Sequence, residues 1–558
     1  MTSVSGVART GMSSGKVDCD AVVVGAGFGG LYGLHRLREL GLSVVGIEAA
    51  PDVGGTWYWN RYPGVRCDVQ SLLYSYSWSP ELRREWRWSE RYAAQAEILK
   101  YIGHAADRFG LRELIRFETR VVSAIYADDD GLWTVRTDRN ESYRARFCIM
   151  ATGCLSVPNT PSIPGFEDFR GVVYHTAKWP QEPVDFGGKR VGVIGTGSSG
   201  IQAIPVIAET AAHLTVFQRT ANFSMPSRNR SLTERDHVQF EAGFATYLES
   251  LQHTDFGRVP PTAANAPVPP REVQWRRYEE LWQEGGGAIL YAFPNILTHH
   301  GVNDVACDFV RQKIRETVQD PETAEDLCPT GHPIGVKRIC VDSGYFQAFN
   351  RPNVALVNLR KQPIERFTSG GVQTSERHVD LDALVFATGF DAVTGALLAI
   401  DIRGRDGLAL KAAWAEGPKS YLGLGVAGFP NFFTITGPGS PSVIGNVIAN
   451  CEHHVDWLVE CIDRMRRSNQ RTVEPEEAAQ CAWMEHVTDV ASRTLYPEAN
   501  SWYLGVNIPG KPKVFMPYVG AGYRHACSRI AADGYTGFRF EGAAAGSSPR
   551  ATGERTLA

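Results

Sequence analysis

Gly25-Ala26-Gly27-Phe28-Gly29-Gly30 follows directly on the apolar run Ala21-Val22-Val23-Val24, and its reading decides the fold. A β-branched strand enters a glycine-rich turn, and a helix-like stretch, Leu31 to Leu40, leaves it. Glycine permits the tight turn, the close approach of backbone to a pyrophosphate, and close helix–strand packing. The helix N-terminus then offers free N–H groups and partial positive charge to phosphates. The pattern recurs. Gly195-Thr196-Gly197-Ser198-Ser199-Gly200 follows Val191-Gly192-Val193-Ile194 and opens Ile201 to Ala212. A chain that binds two dinucleotides can pass a hydride between them, which points to flavin chemistry driven by a nicotinamide.

The residue that ends the next strand separates the two sites. Ser43 to Ile47 ends at Glu48, placed to accept hydrogen bonds from ribose hydroxyls and to repel a phosphate. The first site therefore suits FAD or NAD. Leu214 to Phe217 runs instead into Gln218-Arg219-Thr220, with no acid. The planar fork of Arg219 can pair with a 2′-phosphate, which argues for NADPH there. Two small-residue turns, Ala151-Thr152-Gly153 and Ala387-Thr388-Gly389, each follow an apolar strand, Phe147 to Met150 and Ala383 to Phe386. They let the chain cross close to a bound dinucleotide.

The reading outward from these motifs is an α/β protein with two Rossmann-like dinucleotide-binding domains and a helical insertion. Its 558 residues suffice for about three or four domains. The first domain is expected over 18–156 and again over 383–541. The Pro-rich segment 157–165 reads as a linker. The second domain is expected over 165–226 and 331–382. Between them, 227–330 carries Trp275, Tyr278, Leu281 and Trp282 at helical spacing, after a Pro-rich break at 259–270. Strand-like alternation returns at Val354 to Val357. Residues 1–17 and 542–558 read as flexible tails.

A formal net charge of −4 with no basic stripe argues against nucleic acid as a partner. No apolar run reaches the roughly 20 residues of a membrane span. The longest, Ala21 to Leu34, is broken by glycines. No signal-peptide pattern opens the chain, and a cytoplasmic monomer is the expectation. The 11 cysteines are scattered, with no CxxC, as suits reduced thiols. A disulfide reductase, which shares the two-dinucleotide plan, needs a dithiol beside its flavin. The pairs His299-His300 and His453-His454 lack metal-ligand spacing and read as surface or helix residues. No metal site is expected.

Phe169-Arg170-Gly171-Val172-Val173-Tyr174-His175-Thr176-Ala177-Lys178-Trp179-Pro180 fits FxGxxxHxxxWP. This resembles the fingerprint of class B flavoprotein Baeyer–Villiger monooxygenases. Their N- and S-oxygenating relatives resemble it up to the histidine but usually lack the Trp-Pro ending. Gly54-Gly55-Thr56-Trp57-Tyr58-Trp59, with Asp68 further on, resembles the family's flavin-side segment. Pro333 to Arg338, Gly437 to Ser442 and Asn500 to Gly505 also match. The resemblance spans about residues 18 to 540 and is nearest to the phenylacetone and steroid monooxygenase branch. Val519 to Arg524 departs from it by being shorter.

The resemblance implies FAD, NADPH and dioxygen, and a ketone converted to an ester or lactone through a peroxyflavin and a tetrahedral adduct. It implies Arg338 as the permanent cation that keeps the peroxide anionic and stabilises the adduct's alkoxide, with Asp68 holding it in place. It places Lys337 beside Arg219 at the 2′-phosphate, where the Thr220 hydroxyl is a further candidate donor, Thr56 and Trp57 at the flavin, and Trp502 near the nicotinamide or its ribose. Phe169, Gly171, His175, Trp179 and Pro180 form the fingerprint, where a hinge role is favoured for His175. Ser440, Pro441, Ser442, Val443 and Ile444, with Met516, are expected to line the ketone pocket. An N- or S-oxygenating monooxygenase is the alternative.

Overall fold

The computed structural model describes residues 16–253, 265–520 and 522–542. Most of both expected tails, residues 259–264 of the Pro-rich break, and Ala521 of the shortened loop lie outside the described residues.

The first unit is β1 (Cys19–Val24), α1 (Phe28–Glu39) and β2 (Val44–Ile47). It continues through β3 (Ile115–Arg116), β4 (Val121–Ala127), β5 (Leu132–Thr137) and β6 (Ser142–Met150). β1 lies between β2 and β6, parallel to both, with Val24 opposite Ile47 on one side and Met150 on the other. It is buried on both faces, which is why it reads as a continuous apolar run. β4, β5 and β6 pair antiparallel, because their short connections permit hairpins but not crossovers.

The second unit is β7 (Val172–His175), β8 (Arg190–Ile194), α2 (Ser198–Thr210) and β9 (His213–Gln218). Next come β10 (Ser224–Pro226) and β11 (Cys340–Asp342), a parallel pair bracketing the insertion. Helices Glu234–His253, Arg271–Glu284, His300–Thr317 and Pro321–Leu327 lie between them. Trp275, Tyr278 and Trp282 converge on Phe309, with ring centroids 5.2, 5.9 and 6.0 Å away. The helical spacing in the sequence thus marks a buried helix face.

β12 (Val354–Asn358) is followed by a small antiparallel sheet, β13 (Ile364–Thr368), β14 (Gly371–Thr374) and β15 (His378–Asp380), and then by β16 (Ala383–Phe386). The second sheet runs β12-β9-β8-β16-β7, all parallel. This corrects the boundary at 383. β16 is an interior strand of the second sheet, so the chain rejoins the first only after Ala387-Thr388-Gly389. It does so through β17 (Asp401–Arg403), which pairs with β4, and β18 (Phe432–Thr434), which pairs with β6. α3 (Val447–Arg467) packs on α1, where Asp456 accepts from Tyr32 (2.7 Å) and Arg36 (3.0 Å). The last strands, β19 (Gln470–Pro475) and β20 (Phe538–Gly542), pair antiparallel. Gly542 is opposite Gln470, so it belongs to a strand and not to the tail.

The two chain crossings between the sheets bond to each other. Asn159 N–H donates to Gly389 O and Asp391 N–H to Val157 O, both at 2.9 Å. Among the described residues, no helix is long and apolar enough to cross a membrane.

Candidate active site

Each fingerprint occupies the same topological place. Gly25 N–H donates to Ile47 O (2.8 Å), and Ala151 N–H to Val24 O (2.9 Å). In the second unit Gly195 N–H donates to Phe217 O (3.1 Å), and Ala387 N–H to Ile194 O (2.9 Å). A Cβ on Gly25 would collide with Ala151 O, and one on Gly195 with Ala387 O. Both adopt positive φ, 108° and 112°. The two Ala-Thr-Gly turns therefore seal the two glycine loops from the neighbouring strand. α1 and α2 start at Gly27 and Gly197 with no side-chain cap and no acid in the first turn. Their first N–H groups suit a pyrophosphate, so the cradles fit the dinucleotides expected.

Around the first loop the fit is enclosed. Gly54 N–H donates to Ala26 O (3.0 Å), laying the Gly54-Gly55-Thr56 turn against the fingerprint. Thr56 itself is exposed. Trp57 is buried behind it, its indole donating to Tyr74 OH (3.0 Å). Glu48 is buried at the end of β2, and its two oxygens accept from Ala26 N (2.7 Å) and Ala50 N (2.8 Å). Burial raises its pKa above the usual range, opposed by those backbone N–H groups.

Around the second loop the site is open and cationic. A Cβ on Gly197 would meet nothing within 4 Å. Thr196 donates to Thr220 O (3.1 Å), tying the loop to the end of β9. Lys337 stands near Arg219 and a third cation that sequence reasoning missed, Arg360. Burial first, then these two arginines, push the Lys337 ammonium below the ordinary lysine range. Arg360 Nε donates to Arg219 O (3.0 Å). Among the described residues, none of the three has a carboxylate within ion-pair distance, an arrangement that fits a bound phosphate dianion. The available signal for Arg360 was its place just past β12, the strand parallel to β9.

Between the cradles lies the expected ion pair. Arg338 Nε and Nη2 donate to the two oxygens of Asp68 at 2.5 and 2.7 Å, and Nη1 donates to Val443 O at 2.7 Å. Burial disfavours both charges, yet the pair outweighs it: Asp68 stays below the usual carboxylate range and Arg338 above the usual guanidinium range. Both side chains keep some access to solvent, 29% for Arg338 and 21% for Asp68. The structure thus brings Arg338 onto the 440–444 loop. Ser440 and Ser442 are buried there, and Ser442 has φ 50°. Met516 O accepts from Gly439 N–H (2.7 Å), and the Met516 side chain is buried with Ala392, Val393, Leu155 and Trp502. Tyr503, another residue not singled out from sequence, lies close to Arg338 and Asp68. Burial lifts its phenol to about 12.

Most of the histidine fingerprint is packed against its surroundings. Phe169 is buried against Phe367, and a Cβ on Gly171 would collide with the Phe169 ring. Trp179 stacks on Tyr174 at 5.2 Å, just before Pro180. His175 is different. Its Nδ1 accepts from Ala177 N–H (3.0 Å), so Nε2 carries the proton and faces Asn159 O (3.4 Å). Thr388 donates to the same oxygen (2.5 Å). His175 therefore touches both chain crossings. Burial lowers its pKa, keeping it neutral at pH 7. Of the histidine pairs, His299 caps its helix, His300 faces Glu498, and His454 is wholly buried, accepting from Thr436 N–H (3.0 Å). Among the described residues, no group of three or more His, Cys, Asp or Glu side chains could hold a metal ion.

A family model described as "Pyridine nucleotide-disulphide oxidoreductase" matches residues 22–252. All 11 cysteines here are free. A 2-oxo-Δ3-4,5,5-trimethylcyclopentenylacetyl-CoA monooxygenase of Pseudomonas putida is 42% identical over 535 residues, which is 93% of this chain and 98% of the relative. A Baeyer–Villiger monooxygenase of Pseudooceanicola batsensis is 42% identical over 528 residues, 93% of this chain and 96% of its own length. Among solved structures, an oxidized steroid monooxygenase bound to NADP superposes with a TM-score of 0.89 at 49% identity, covering 94% of this chain and 100% of that one. The chain belongs to the Baeyer–Villiger monooxygenase family.

Proposed function

We propose that this protein consumes NADPH and dioxygen, with FAD as its resident cofactor, to convert cyclic, aryl or polycyclic ketones into esters or lactones. The observation that carries this reading is Arg338, clamped by Asp68 and Val443 between two dinucleotide cradles of opposite character. The lean towards larger ketones is supported by 49% identity to a steroid monooxygenase. FAD, reduced by NADPH and exposed to dioxygen, supplies the oxygen nucleophile when bound.

The chain's own part is electrostatic and positional. Arg338 cannot lose its proton at working pH, so it favours an anionic nucleophile and an alkoxide over their neutral forms. Three of its five N–H donors are committed to Asp68 and Val443, leaving two for the ketone oxygen. Asp68 fixes the plane of the guanidinium and balances its charge, so that neither group is buried alone. The 440–444 loop, anchored to Arg338 through Val443 O, lines the ketone pocket together with Met516. Arg219, Lys337, Thr220 and Arg360 hold the 2′-phosphate, and Glu48 holds the ribose of FAD. Trp502 packs near the nicotinamide, and His175 marks the hinge. The protein works as a monomer in the cytoplasm, where its free thiols stay reduced.

The test follows NADPH oxidation by the purified flavoprotein with a panel of ketones, quantifying product mass and hydrogen peroxide together. A product one oxygen heavier than the ketone, with little peroxide, supports the reading. Peroxide alone from every ketone, with oxygen transfer to amines or sulfides, overturns it in favour of an N- or S-oxygenating enzyme.

A further inference from the structure

α2 begins at the second fingerprint, and it carries Ser198, Gln202 and Val206 on one stripe, because residues four apart share a helix face. This stripe touches both arms of the Arg338–Asp68 pair. Ser198 Oγ lies 3.4 Å from the sulfur of Cys340, two residues past Arg338. The same thiol accepts from Asn222 Nδ2 (3.2 Å) and contacts Arg338 O (3.8 Å). Burial pushes its pKa to about 12, so it remains a thiol.

Gln202 grips the other arm. Its Oε1 accepts from the Tyr62 hydroxyl (3.0 Å) and from Arg66 N–H (3.4 Å), and its Nε2 donates to Arg66 O (3.1 Å). Arg66 stands two residues before Asp68. Between Tyr62 and Arg66, Gly64 has φ 77°. A Cβ there would collide with Gln202 O and stand 3.0 Å from Val206. The far side of the segment is held by Cys67 N–H on Ala93 O (3.1 Å) and by Arg66 on Glu90 (2.8 Å) and Tyr92 O (2.6 Å). The stretch carrying Asp68 is therefore clamped between α2 and residues 90–93.

We propose that Gln202 is a positioning residue for oxygen transfer. It fixes the Asp68 arm to the helix whose N-terminus receives the NADP pyrophosphate, and so holds the Arg338–Asp68 pair in register with the nicotinamide nucleotide. This rests on the monooxygenase reading above. Gln202 touches neither reacting group. Its loss leaves hydride delivery intact and spoils the fraction of turnovers that end in product.

The experiment uses the holoenzyme and a ketone from the panel that the wild-type enzyme converts; absence of any such ketone is a failure of the monooxygenase reading, separate from this one. Ester formed per NADPH oxidised, peroxide released, and the anaerobic rate of flavin reduction by NADPH are measured together. In Gln202→Leu, ester per NADPH is expected to fall about fivefold, with peroxide making up the difference, the size of one lost net hydrogen bond. Flavin reduction is expected to stay within about twofold. Tyr62→Phe, whose hydroxyl also bonds Ser199, shifts the ratio in the same direction, and adding it to Gln202→Leu changes the ratio by less than it does alone, because the two share one interaction. Gln202→Glu, which keeps the acceptor and loses the donor, lies between. A lowered melting temperature with unchanged ester per NADPH overturns the proposal. If Gln202→Leu fails to fold, an unchanged ratio in Tyr62→Phe does so alone.

Discussion

The two dinucleotide cradles share a backbone and differ in everything attached to it. In both, a glycine of positive φ leaves the central strand and an Ala-Thr-Gly turn closes over it from the next strand. At the first, the Gly54-Gly55 turn lies over the loop, with Gly55 Cα 3.4 Å from where a Cβ on Gly27 would be, and a buried glutamate ends the second strand. At the second, the space beside Gly197 is open and three cations gather with, among the described residues, no carboxylate within ion-pair distance. The motif specifies that a pyrophosphate binds. The strand-end residue and the segment that covers the loop set the two cradles apart.

The largest loss of function is expected at the Arg338–Asp68 pair. Arg338→Ala should cut ester formation by about a hundredfold or more, the scale for losing a charge-stabilising donor, while NADPH oxidation continues and yields peroxide. Parallel product and peroxide assays check this; retained ester formation would remove Arg338 from the chemistry. The next test separates the cradles. A Cβ on Gly30 would collide with Gly25 O, and one on Gly200 with Gly195 O. Gly30→Ala should lose flavin from the purified protein. Gly200→Ala should keep its flavin and weaken NADPH binding about tenfold or more. Absorbance at the flavin band and KM for NADPH discriminate, and the same deficit in both variants would contradict two separate sites.

Smaller effects sharpen the cationic side. Arg219→Ala should lower the preference for NADPH over NADH by about 10- to 100-fold, the range for a charged hydrogen bond, and Arg360→Ala by less. Glu48→Gln should leave that ratio unchanged. The cofactor preference, measured as a ratio of kcat/KM values, would refute the assignment if Glu48→Gln moved it and Arg219→Ala did not. The smallest effect is a pH dependence. Lys337 is depressed in the free protein, and a phosphate dianion would raise it again, so NADPH binding takes up a proton as pH approaches the depressed value. Affinity for NADPH should therefore fall on the alkaline side earlier than an ordinary lysine would dictate. NADH, which lacks the 2′-phosphate, should show no such limb. Binding titrations of both nucleotides against pH check this, and Lys337→Arg should abolish the early fall.

Local rules make much of this molecule legible in its amino-acid order. A strand, a glycine turn and a helix lie within about thirty residues, and the helical spacing of Trp275, Tyr278 and Trp282 needs only one element to be recognised. Arg219 and Glu48 are readable for the same reason, since each ends a strand at a set distance from its glycines. Arg338 and Asp68 are legible through resemblance, because 270 residues separate them and no spacing rule joins them. Long-range pairing alone decides the rest. β16 reads like any apolar strand, and only its register against Ile194 and Val172 assigns it to the second sheet. Arg360 carries no motif and nothing sets Tyr503 apart within the matching stretch Asn500 to Gly505; they reach the site because β12 pairs with β9 and because the segment near residue 500 folds back towards Arg338. The contact between Gln202 and the Asp68 segment belongs to this class. The amino-acid order determined the local elements and the charges at their ends. Which distant segments meet, and hence where the ion pair stands between the two cradles, was decided by sheet registry and by the packing of one sheet's helix against the other sheet's loop.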